Sequence, residues 1–311
     1  MYWILILGFI LVNIVAFFHA YKFTHFATNN TAKTESPENL NMYSKIKTLL
    51  FGIDNARPTN EQMPLKYAKI ELQSNKKIEC WYLKKGSSTD HISVKGTVIL
   101  FHGYSVGKST LLERANEFEK LGYNLLLVDF MGSGGSEGIQ TTLGFKEAKQ
   151  VKTAYEFLVK EEVEDIYLFG TSMGAVAIMK AIADFDLKPR GVIVECPFGS
   201  MYRTTCARFK IMNIPPFPMA GLLVFWGGLQ NKFWPFGHSP TEYAKKISIP
   251  TLILYGEQDQ TVSRSEIDGI YKNLKGIKKL ATYPLVGHED YLITYKAEWS
   301  RDIVAFIAEN E

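Results

Sequence analysis

Five residues, Gly170-Thr171-Ser172-Met173-Gly174, stand between the apolar run Ile166-Tyr167-Leu168-Phe169 and a small-residue run from Ala175 to Ala183. The first run reads as a short buried strand and the second as a closely packed helix, so the pentapeptide must turn a strand sharply into a helix. A turn that tight strains the backbone of its tip residue and lifts that side chain clear of the sheet. Glycine is needed two positions to either side, because a Cβ there would collide with the neighbouring helix or strand. The pattern by itself arises by chance in chains of this glycine content. Its flanks turn it into a constraint and mark Ser172 as a candidate nucleophile.

A serine hydroxyl is a weak nucleophile at neutral pH and requires a base, an acid that orients the base, and donors for an oxyanion. His288 follows the strand-like run Leu280-Ala281-Thr282-Tyr283 and precedes a final helical pattern. Asp259 follows the buried strand-like run Thr251-Leu252-Ile253-Leu254-Tyr255 and a turn. Glu257, nearer the strand end, and Asp290, beside the histidine, compete with it for the acid role; Asp259 is the expected acid. His102-Gly103-Tyr104 follows the strand Thr97 to Phe101, and the N–H groups of Tyr104 and Met173 are the expected oxyanion donors. Gly103 allows close approach of substrate, and His102 is expected to hold the loop by hydrogen bonds rather than to carry protons. The Tyr104 phenol is read equally as a substrate contact or as a loop aromatic. His19, His25, His91 and His238 lack a partner pattern and read as structural or solvated.

The succession Ser172, Asp259, His288 is the chain order of the α/β-hydrolase triad, distinct from that of chymotrypsin or subtilisin. Val128-Asp129-Phe130-Met131-Gly132-Ser133-Gly134-Gly135-Ser136 adds a D-x-R-G-x-G-x-S-like segment, with Met131 in place of the usual arginine. On these motifs the chain from about Tyr67 to the C-terminus resembles the α/β-hydrolases, in the branch of monoacylglycerol-lipase-like, lysophospholipase-like and serine-aminopeptidase-like enzymes. The resemblance implies a serine hydrolase that cleaves carboxylic esters through an acyl-enzyme, with acyl esters or lysophospholipid-like lipids as substrates. A serine aminopeptidase or an acyl-thioesterase on the same fold is the alternative, since one fold hosts many chemistries. No cofactor is implied. Met131 is expected to remove a structural ion pair and to leave catalysis untouched.

Two other function classes fit the sequence less well. Gly103 to Thr110 lies between a strand and a helix like a nucleotide-binding P-loop, but only three residues separate Gly103 from Gly107 where the phosphate cradle needs four. A binding protein on an inactive hydrolase scaffold would be marked by a lost triad member, and no member is lost.

Beyond the edge hairpin read at Tyr67 to Leu72 and Ile78 to Leu83, strands near residues 97–101, 124–129, 165–169, 191–195, 250–255 and 279–283 alternate with helices near 109–121, 145–161, 174–185, 263–274 and 290–309. This predicts an α/β fold, a mostly parallel sheet with helices on both faces. The rhythm breaks at about residues 198–238, the expected cap after the sixth strand. Its Phe, Trp, Leu and Met residues between Met212 and Phe236 either wall an acyl site or pack the cap onto the sheet.

Met1 to Phe18 carries no charge, and the uncharged stretch extends to Tyr21, long enough to span a bilayer. Residues 1–25 are therefore expected to be a retained transmembrane anchor; a cleaved signal peptide fits less well, with no Lys or Arg before the apolar run and no small-x-small site after it. Lys22, Lys33, Lys45 and Lys47 follow the span, which places the catalytic domain in the cytoplasm by the positive-inside tendency. Residues 26–64 read as a juxtamembrane linker in which Asn41 to Phe51 is partly amphipathic, lying on the membrane or packing on the domain. Residues 65–311 form the expected hydrolase domain. Three irregularly spaced cysteines imply neither a disulfide framework nor a metal site, and a net charge of +3 without a basic aromatic cluster implies no nucleic acid.

Overall fold

In the computed structural model, which describes residues 2–28, 32–35, 39–84, 94–288 and 291–310, eight strands form one sheet. They are β1 (Ala68–Gln73), β2 (Lys77–Leu83), β3 (Thr97–Phe101), β4 (Asn124–Val128), β5 (Ile166–Thr171), β6 (Gly191–Glu195), β7 (Thr251–Gly256) and β8 (Lys278–Tyr283). Their order across the sheet is β1-β2-β4-β3-β5-β6-β7-β8. The β1–β2 hairpin is antiparallel and supplies one edge; from β4 to β8 every pairing is parallel. β3, β4, β6 and β7 are buried throughout, as expected of strands covered on both faces.

The helices in chain order are α1 (Tyr2–Thr24), α2 (Met42–Phe51), α3 (Leu112–Lys120), α4 (Ala148–Lys160), α5 (Met173–Phe185), α6 (Met201–Ile211), α7 (Met219–Gln230), α8 (Pro240–Tyr243), α9 (Arg264–Asn273), α10 (Tyr291–Thr294) and α11 (Lys296–Ala308). α4, α5 and α9 bury Val151, Leu158, Ile178 and Ile267 in one core. α3 and α11 bury Phe118, Trp299, Ile303 and Phe306 in a second core that shares the sheet's other side chains. The alternation of inward faces along the strands thus builds two cores, one on each face. α6 to α8 fill the interval between β6 and β7 where the helix rhythm breaks.

α1 does not stand apart from this module. Its buried residues Ala16, Ala20 and Thr24 recur every four positions and form one stripe, which lies against α7. Side chains this small let the helix axes approach: a Cβ added at Gly227 would sit 4.0 Å from Ala20 Cβ and 3.7 Å from Thr24 Cγ2. Trp226 Nε1 donates to Asn13 Oδ1 at 3.2 Å, its ring meets Phe17 edge to face at 5.4 Å, and Gln230 Nε2 donates to the Phe17 carbonyl at 2.8 Å. Much of the rest of α1, including Phe9, Ile10, Leu11, Ile14 and Phe18, is exposed. With a mean hydropathy of 2.3 over 18 residues, α1 is long and apolar enough to cross a membrane.

Candidate active site

The strand β5 ends at Thr171 and the helix α5 begins at Met173, so Ser172 alone makes the turn. Its φ of 48° and ψ of −108° lie where side chains are strained. The flanking glycines explain how the turn fits. A Cβ at Gly170 would lie 2.6 Å from the Gly174 carbonyl carbon, and one at Gly174 would lie 2.3 Å from the Phe101 oxygen. Both positions therefore exclude any side chain.

Ser172 Oγ lies 2.9 Å from His288 Nε2, and His288 Nδ1 lies 2.7 Å from Asp259 Oδ2. A carboxylate only accepts, so Nδ1 carries the proton and Nε2 is left to accept from the serine hydroxyl. Asp259 is fixed in turn by the Thr261 and Val262 N–H groups, which donate to Oδ1 at 2.7 and 2.8 Å. Burial opposes a charge on His288; the hydrogen-bonded Asp259 carboxylate outweighs it and holds the imidazole well above its ordinary value of 6.5. Burial pushes the Cys196 thiol up, so it is uncharged near neutrality, and Asp259 is the group whose charge acts on the ring. The Cys196 S–H donates to the His288 carbonyl at 3.1 Å and pins the loop. Of the competing acids, Glu257 is exposed at the end of β7, and Asp290 lies outside the described residues.

The Tyr104 and Met173 N–H groups donate to no carbonyl or side chain among the described residues. Gly103 brings its segment against the serine: a Cβ there would be 3.8 Å from Ser172 Cβ. His102 is fully buried, and burial lowers its pKa. Its Nε2 accepts from the Phe130 N–H at 3.0 Å, which leaves Nδ1 to donate to the Gly103 carbonyl at 2.7 Å. A neutral imidazole therefore ties the Gly103 loop to the segment after β4. His238 is also fully buried, its pKa lowered to about 4 by burial, and it joins Tyr243 Oη to the Leu143 carbonyl, each at 2.9 Å. His91 lies outside the described residues.

The Tyr104 ring packs on α1. It stacks on Phe23 at 4.9 Å, its hydroxyl donates to the Phe23 carbonyl at 2.7 Å, and Asn55 Nδ2 donates to that hydroxyl at 2.8 Å. The Arg208 guanidinium of α6 lies over both rings, 4.9 Å from Phe23 and 5.4 Å from Tyr104. Nothing in the local sequence signals this contact, because it joins residues 81 positions apart.

Met131 brings no charge to the segment after β4, and Asp129 there takes its ion partner from another part of the chain. Asp129 is paired with Lys108, fully buried, whose Nζ lies 2.5 Å from Asp129 Oδ2, 2.9 Å from Glu79 Oε1 and 4.5 Å from the Trp81 ring centre. Burial opposes ionisation of Asp129, but the Lys108 charge prevails and holds the carboxyl below the usual range. The lysine that lent the Gly103–Thr110 segment its P-loop likeness thus faces two carboxylates and offers nothing to a phosphate. Met131 itself is buried, and Arg57, from the linker, caps the same loop through the Gly134, Ser136 and Gly138 carbonyls.

The sequence profile of the serine aminopeptidase S33 family matches residues 92–235. Protein bem46 of Schizosaccharomyces pombe is 24% identical over 286 residues, covering 87% of this chain and 88% of the relative. The uncharacterized protein YqkD of Bacillus subtilis is 27% identical over 59% of this chain, which spans 62% of that relative's length. Among solved structures, an esterase from Pyrococcus furiosus superposes with a TM-score of 0.66 over 82% of this chain and 99% of its own, at 20% identity. At that identity the likeness establishes the fold.

Proposed function

We propose that this chain, which has the α/β-hydrolase fold and matches the S33 profile over residues 92–235, is a membrane-anchored serine hydrolase that cleaves carboxylic esters, with acyl esters or lysophospholipid-like lipids as its substrates. The observation that carries the reading is the chain of hydrogen bonds from Ser172 through His288 to Asp259 at a strained strand-to-helix turn. Ser172 Oγ attacks the ester carbonyl carbon while His288 Nε2 takes its proton, and Asp259 holds the required tautomer and balances the imidazolium. The Tyr104 and Met173 N–H groups receive the oxyanion. The alkoxide leaves with the proton from His288. Water then attacks the acyl-enzyme, giving a proton to His288 that returns to Ser172 as the carboxylic acid departs.

The membrane reading rests on α1 and on the apolar surface around it. α2 buries none of its residues and exposes Met42, Tyr43, Ile46, Leu50 and Phe51, while Phe217, Leu229 and Trp234 of the cap are exposed beside α1's partner helix. The positive-inside tendency of the lysines after α1 puts the hydrolase module on the cytoplasmic side.

A second reading, a serine aminopeptidase, is favoured by the S33 profile match. A panel of p-nitrophenyl esters of graded acyl length beside aminoacyl p-nitroanilides separates the two. The account expects Ser172-dependent ester cleavage exceeding anilide cleavage; the reverse order makes the chain a peptidase.

A further inference from the structure

We infer that the transmembrane helix is itself a wall of the acyl-chain site, the chain of the substrate lying in a chamber enclosed between α1, α2, α6 and α7. This inference rests on the ester-hydrolase reading and adds to it a place for the acyl group. The chamber has a volume of about 140 Å³, and its lining is mainly apolar, with His19 and Arg208 among the polar side chains that reach it. α1 contributes Ala20 and Phe23, α2 contributes Leu49, α6 contributes Phe209, and α7 contributes Met219 and Leu223.

Its position relative to the nucleophile follows from one pair of rings. Phe23 lines the chamber on one side and stacks on Tyr104 at 4.9 Å. Tyr104 is the neighbour of Gly103, whose backbone lies against Ser172. A single aromatic layer therefore stands between the chamber and the segment that faces the serine. In the proposal the acyl chain of an ester whose carbonyl sits at Ser172 reaches the chamber by moving the Phe23–Tyr104 pair aside, since no triad residue lines that space. Membrane lipid is the source the surroundings favour, because the outer face of the same helix is exposed and apolar.

Of the cap aromatics that either wall an acyl site or pack the cap, two do not line this chamber. Trp226 turns to Asn13 and Phe17 of α1, and Phe225 is partly exposed. Met219, Leu223, Val224 and Gly227, on another face of α7, are the ones that reach the chamber.

The test uses the full-length protein in detergent micelles. Leu223→Trp fills the chamber from the cap and Ala20→Trp fills it from the span. Both should lower kcat/KM for p-nitrophenyl dodecanoate relative to the acetate by about tenfold or more. An unchanged ratio, or equal loss on both esters with a wild-type melting temperature, overturns the inference. A second readout needs no turnover: in Ser172→Ala protein, a twelve-carbon fatty acid with a diazirine at its tail should photolabel residues of α1 and α7 that line the chamber. Labelling confined to other segments overturns the chamber. Ester hydrolysis that persists in Ser172→Ala while photolabelling succeeds refutes the hydrolase reading and leaves the chamber standing as a lipid site.

Discussion

Asp259 and Lys108 are both charged residues that the fold needs close to a partner, and each can be tested by removing one side of the pair. Asp259→Asn keeps the shape of the acid but can no longer fix His288 in the tautomer that accepts from Ser172. Turnover should fall about ten-thousandfold, whereas Glu257→Gln, at an exposed site, should leave it near wild type. Imidazolium cannot accept the serine proton, so activity is gained as pH rises through the His288 pKa. Because that pKa is held well above 6.5, the acid limb of the kcat/KM profile should lie above 6.5; a limb at or below that value contradicts the assigned environment. Lys108→Met strands the buried Asp129 without a counter-ion and leaves Glu79 with Lys69 alone, and denaturant unfolding at neutral pH should register a loss of about 3–5 kcal/mol. The depressed Asp129 carboxyl contributes stability above the ordinary carboxylate range and loses it as pH falls through its folded value, so the difference between the two proteins should shrink in acid.

At the scale of elements, the strands and helices were readable because each carries its own period or length. Runs such as Thr97–Phe101 and Gly191–Glu195 match the observed strands, and the expected helix at 174–185 differs from α5 by one residue. The expected final helix at 290–309 is broken at Tyr295 into α10 and α11. The G-x-S-x-G turn was legible because its glycines answer to contacts within the same few residues. The docking of α1 on α7 was not legible. Both helices are apolar all round, so neither shows a preferred face in its sequence, and the small-residue stripe acquires meaning only opposite Gly227. Lys108 was hidden for a related reason: its partners come from β2 and from the end of β4, and no local pattern links three such distant charges. The helix contact makes a geometric prediction. Ala20 Cβ and a Cβ at Gly227 would be 4.0 Å apart, within disulfide range. In membranes, the double variant Ala20→Cys, Gly227→Cys should form an intrachain disulfide on mild oxidation, read by mass spectrometry of the linked peptides. Failure to cross-link would mean that the span and the cap are not in contact.

The whole molecule joins a two-faced α/β module to an apolar N-terminal helix through the cap rather than through the linker alone. That arrangement alters what removal of the first 40 residues should do, because it would uncover Val224, Trp226 and Gly227 along α7 as well as removing the proposed anchor. It also ties the loop proposed to receive the oxyanion to the span, through the Tyr104–Phe23 stack and the Asn55 hydrogen bond. All of this serves one central claim, that Ser172 is the nucleophile of a serine hydrolase. The most direct measurement is labelling of the full-length protein by a fluorophosphonate, with the adduct located by peptide mass spectrometry. The account predicts a single adduct on Ser172, absent from Ser172→Ala protein that melts at the wild-type temperature. Labelling that persists in the folded Ser172→Ala protein, or a native wild-type protein that takes no label, would contradict it.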